Sequence, residues 1–179
     1  MPDVFIDTLH SWQNFYFMIG GAAAGLMGLM FVALSLGTHL INETTKQAFG
    51  SFVTPSILYF VSVVLIAGVM LVPVFAPVGL ALTLFVGGAV GLGRTAQHVR
   101  VLIQTAIEHQ DFTPWDWLAQ IIFPIASYAL MMLVGLGFAI NQWPLAFMGL
   151  WLATLLLLIS AIANTWSLVI WIIEQRLTD

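Results

Sequence analysis

Three sets of small or polar residues recur at helical spacing in an otherwise apolar chain, and they bound the chemistry open to it. Gly21, Gly25, Gly28, Val32, Ser35, His39 and Asn42 follow one another in alternating steps of four and three, so in a helix they share one face, small at its start and polar at its end. Glycines on such a face let a neighbouring helix come close, while Ser35, His39 and Asn42 hydrogen-bond across the contact or sit at headgroup level. The competing reading is a face that lines a pathway or a cofactor cleft. Ser160, Asn164 and Ser167 form a second set at i, i+4 and i+7, with Asn164 the most polar residue deep in any apolar run. A buried amide needs partners, either as glue between helices or as the uncharged lining of a path for an ion or small solute.

The third set is Gly87, Gly91, Arg94 and His98. Gly87 and Gly91 predict another close helix crossing. Arg94 ends an apolar run and, with Arg100 beyond it, suits contact with a lipid phosphate or an anion. On parallel helices His39 and His98 fall at similar depth, near enough in principle to ligate one metal or a haem iron. The competing reading for both is a solvated interfacial histidine, and no cofactor is expected. His98, Glu108, His109, Asp111 and Asp116 carry metal-binding side chains, but their spacing matches no standard ligand motif, and a solvated loop is the expectation.

Catalytic patterns are missing. The chain has no HExxH, GxSxG, Walker loop, dinucleotide fingerprint or CxxCH. Every Asp and Glu lies outside the apolar runs, so no carboxylate within a membrane helix is available for acid–base chemistry or proton coupling. An enzyme is not expected. The absence of cysteine removes disulfides, thiolate metal sites and thiol nucleophiles.

The elements that hold these residues follow from composition. Of 179 residues 61% are hydrophobic and 7% charged, against roughly half and a quarter in soluble proteins, and the mean hydropathy is +1.03. A water-soluble fold could not cover that much apolar surface, so the bilayer is the solvent. The four Lys and Arg form no basic patch, which sets nucleic acid aside as a partner. The segment before the first apolar run, Met1 to Gln13, carries Asp3 and Asp7 and no Lys or Arg, the opposite of a signal peptide's basic start, and cleavage is not expected.

Five membrane helices are predicted, over about 15–40, 55–73, 79–94, 116–140 and 145–173, in a single all-α domain. Thr54-Pro55 offers a capping hydroxyl and a first-turn proline to the second, and Thr113-Pro114-Trp115-Asp116 does the same for the fourth. The third continues as an amphipathic helix to about 109, outside the lipid, through Val99, Leu102, Ile103, Ala106 and Ile107. Pro124 should kink the fourth by freeing the Gln120 carbonyl, and Asn141-Gln142-Trp143-Pro144 is a turn.

With five crossings, Lys46, Arg94, Arg100 and Arg176 all fall on one side. Since cytoplasmic loops hold the excess of Lys and Arg, the N-terminus is expected outside and the C-terminus in the cytoplasm, in a cell membrane of the bacterial inner-membrane type. Trp12, Tyr16 and Trp143 would form the outer aromatic belt and Trp115, Trp117 and Trp171 the inner one. Such one-sided charge favours subunits held in one orientation. The leading expectation is a parallel homo-oligomer with a passive path for an ion or small solute. The alternatives are an accessory subunit or scaffold docked on another membrane protein, and a haem or metal protein using His39 and His98.

Overall fold

The computed structural model describes residues 2–37, 46–72, 76–109 and 114–178. Among them it is entirely helical: α1 Pro2–Gly37, α2 Lys46–Leu71, α3 Pro77–His109, a single turn α4 Pro114–Trp117, α5 Phe123–Ala139 and α6 Trp143–Thr178. A π-helical turn, Leu118–Ile122, joins α4 to α5 in one rod. Five stretches are long and apolar enough to cross a bilayer: Phe5–Ser35, Val53–Leu71, Pro77–Arg100, Leu118–Ala139 and Trp143–Ile170. Hydrocarbon offers no partner to a backbone N–H or C=O, so each crossing closes its hydrogen bonds within the helix.

Proline marks the starts. Pro2, Pro77 and Pro114 are the first residues of α1, α3 and α4, where a missing N–H costs nothing. Two starts differ from the expectation. First, α1 begins at Pro2 rather than near Phe15. Phe5, Leu9, Tyr16, Ile19, Ala23, Met30 and Leu34 are buried at helical spacing, and Trp12 packs against them. Asp7, His10, Ser11 and Asn14, which break the apolar run, lie on the exposed side of the same helix. Second, α2 begins at Lys46 with Pro55 inside it, so Thr54-Pro55 does not open the helix. The carbonyl that Pro55 leaves without a donor is that of Ser51, outside the apolar stretch that starts at Val53, where water can satisfy it.

Pro124 acts through the turn before it. Phe123 N–H bonds the Leu118 carbonyl, five residues back, so the helix widens by one residue just ahead of the ring instead of breaking. The α5–α6 turn is a helix C-cap in which Gln142 N–H reaches Gly137 O at 2.9 Å and Asn141 N–H reaches Phe138 O at 3.3 Å. Asn141 sits in the left-handed region at φ 61°, the conformation this cap requires.

The helices pack in the order α1, α2, α6, α5, α3, with the fullest contact between α3 and α5 and little between α2 and α3. Neighbours run antiparallel. A Cβ at Gly20 of α1 would lie 2.6 Å from the Ala67 Cβ of α2, and one at Gly149 of α6 would lie 2.7 Å from Val134 of α5. At one end Phe5 meets Phe138, Trp143 and Phe147, with Trp12 stacked on Phe147 at 8° between ring planes. Lys46 opens α2 and Arg176 lies near the end of α6, both away from this cluster, with Arg94 and Arg100 in the second half of α3; the apolar stretch runs on to Arg100, so Arg94 stands inside it rather than at its end as expected. Helix α3 does run on to His109, past the apolar stretch that closes at Arg100.

Candidate functional site

The α1 glycines face away from the other helices. Gly21, Gly25 and Gly28 are exposed, and a Cβ built on any of them would meet nothing within 4 Å. Val32 is 57% exposed, and Ser35 shares the outer face. The expected close approach of a neighbouring helix therefore does not occur at these glycines within one chain. It occurs at Gly20, one residue and about 100° round the helix, because the bulky residues of α1 take the inner face. His39 and Asn42 lie outside the described residues.

The α6 set faces inward. Ser160 is fully buried and Asn164 is 2% exposed, with Ser167 half-buried. Ser160 Oγ donates to Leu156 O at 2.9 Å and Ser167 Oγ to Ala163 O at 3.1 Å, while the neighbouring Thr154 and Thr165 hydroxyls bond back to their own helix in the same way. Hydroxyls closed on the backbone four residues earlier have no proton left to donate and keep only oxygen lone pairs. The α1 and α6 stripes thus lie on opposite sides of the packing and are not brought together.

On α3, Gly87 and Gly91 turn towards α5. A Cβ at Gly87 would stand 3.0 Å from Met131 Cε and one at Gly91 would strike the Tyr128 ring, while at Gly88 it would stand 2.9 Å from the Tyr128 carbonyl oxygen. Gly135 answers from α5, where a Cβ would meet the Ala81 carbonyl oxygen at 2.8 Å. These contacts let α3 and α5 pack backbone against backbone over several turns. Arg94 and Arg100 are exposed and His98 is half-buried. Among the described residues no three of His, Cys, Asp or Glu gather to hold a metal.

The chain matches no family model, no curated protein and no solved structure.

A feature not expected from the sequence lies where α2 and α3 part. A half-open cleft of about 370 Å³ runs between them with α5 as its floor. Gly87 and Gly91 form part of its wall, and Ser62 and Tyr128 reach it from α2 and α5. Ser62 Oγ and Tyr128 Oη are 2.7 Å apart, and the Tyr59 ring lies 6.4 Å from that of Tyr128. Thr95, one turn beyond Gly91, sets its hydroxyl beside that of Tyr59, yet among the described residues neither completes a hydrogen bond. All three tyrosines of the chain, Tyr16 included, are buried. Tyr16 therefore does not sit in an interfacial belt; its helix starts earlier than expected and carries it into the bundle. The sequence signal for this cluster is a tyrosine within an apolar run, as at Tyr59 and Tyr128, since a buried phenol needs a polar neighbour.

Proposed function

We propose that the chain is a non-catalytic membrane subunit that assembles with copies of itself, all in one orientation, through the outer face of α1. The observation that carries this reading is the stripe Gly21, Gly25 and Gly28, open to its surroundings on a helix whose other face is fully used. Lipid tails are as apolar as leucine, so helices associate in a bilayer through close backbone approach rather than hydrophobic burial, and glycines at i, i+4 and i+7 permit it. Basic residues at one end of the bundle favour a cytoplasmic C-terminus in a cell membrane and assembly about an axis along the membrane normal.

In this reading the passive path for an ion or small solute runs along the seam between subunits. Its support is the inward packing of α6, where Ser160 and Asn164 are buried within the single chain and line no open face. Flux into liposomes holding the purified protein tests it. Above-background flux that falls when Gly25→Leu blocks the seam is the expected result, and flux equal to empty vesicles across voltage and pH removes the path.

The open glycine face of α1 fits a second reading equally, in which it docks a different membrane protein. Purification from the native membrane in mild detergent separates the two. A clean symmetric homo-oligomer supports the first and a stoichiometric foreign subunit the second.

A further inference from the structure

Consecutive helices joined by a short connection ordinarily pack together, but α2 leans on α1 and α6 and α3 leans on α5. The space left between α2 and α3 lies midway along both membrane stretches, from Leu58 to Val69 on one side and from Thr83 to Gly91 on the other. At about 370 Å³ it falls in the range of roughly 300–1,000 Å³ typical of small-molecule sites. Among the described residues no charged side chain lines it. A phosphate or ammonium head would therefore sit unpaired at the depth where that is most costly, which leaves a neutral occupant.

The hydrogen bonds at the floor narrow the choice further. Ser62 has one proton, and its Oγ donates it to Leu58 O at 2.8 Å. In the 2.7 Å contact between the two hydroxyls Tyr128 is then the donor, and what the pair offers the cleft is oxygen lone pairs. Such an acceptor, in surroundings without water, favours a ligand that brings a proton of its own. The Tyr128 ring is wedged against Gly91, which holds the phenol in place before anything binds.

We propose that the α2–α3 cleft binds a neutral, largely apolar molecule from the lipid phase that carries a hydroxyl, with the hydroxyl donating to Tyr128 Oη at the cleft floor. The body of the ligand packs on Leu65, Val90 and Met131, and a longer tail leaves through the open side into lipid. An acyl chain of ordinary phospholipid could fill the same walls but would not use the floor.

Photolabelling of the full chain in phosphatidylcholine vesicles tests this with three probes carrying the same diazirine: 1-hexadecanol, its methyl ether, and phosphatidylcholine labelled in an acyl chain. The alcohol is expected to label the cleft segments of α2 and α3 at least five-fold more than the lipid-facing segment around Leu133, exposed on α5. The excess should be removed by unlabelled hexadecanol. The ether, which cannot donate, should lose most of it, and Tyr128→Phe should lower alcohol labelling to the ether level. Val90→Phe, at an exposed position of the cleft wall, should lower labelling by alcohol and ether alike without touching the core. Equal labelling by alcohol and ether in the unaltered protein would overturn the proposal. So would cleft labelling by the phosphatidylcholine probe at the alcohol's level, which assigns the cleft to bulk lipid.

Discussion

Single residues decide which faces of this bundle are closed and which are open. Gly20 and Gly21 are neighbours in sequence, yet a Cβ at Gly20 would overlap Ala67 while one at Gly21 would meet nothing. A four-and-three spacing identifies residues that share a face, but it does not say whether that face turns inward, since glycine is neither apolar bulk nor polar. The answer lay in the complementary pattern, the large residues from Phe5 to Leu34 that take the core. The contrast yields a prediction. Gly88→Ala puts a methyl 2.8 Å from Met132 Cγ and 2.9 Å from the Tyr128 carbonyl, and overpacking of this kind costs about 1–3 kcal/mol. Gly25→Ala meets open space and should leave the stability of the single chain unchanged. Reversible unfolding in mixed micelles, read by circular dichroism, measures both. The Ser62–Tyr128 pair was harder to foresee, because the two residues are 66 apart in the chain with all of α3 between them, and the gap between α2 and α3 follows from how each packs on other helices.

Helices were more legible than their boundaries. Hydrophobic runs of about twenty residues have one solution in a bilayer, and five such helices are present among the described residues. The boundaries that shifted did so for identifiable reasons. Helix α1 reaches back to Pro2 because its period continues after its apolar run is interrupted, and α2 reads through Pro55 because the disturbed turn lies at the membrane edge. The turn after α5 was visible in the sequence but is shorter than expected, since Trp143 and Pro144 open α6, and its chemistry fixes a second prediction. Asn141 occupies φ 61°, which a β-branched residue tolerates poorly, so Asn141→Val should cost about 1–2 kcal/mol. Asn141→Gly should be close to neutral, because glycine adopts that conformation freely. The same unfolding measurement distinguishes them, and equal losses for the two would show that the Asn141 side chain, not its backbone conformation, matters.

For the whole molecule, the claims about orientation and assembly rest on an odd number of crossings with the basic residues at one end. Reporter fusions at the two termini should be active in opposite compartments, with the N-terminal one outside. Activity of both in one compartment would remove an odd number of crossings and with it the case for co-oriented subunits. Assembly through α1 can be tested most directly because the chain contains no cysteine, so one introduced thiol reports one position. Ala22→Cys, Gly25→Cys and Leu29→Cys on the outer face of α1, and Leu133→Cys on the lipid face of α5, would be oxidised in native membranes and counted as covalent dimers. The account predicts self-crosslinking at the α1 positions and none at Leu133; crosslinking absent from α1, or equal at all four positions, would contradict it.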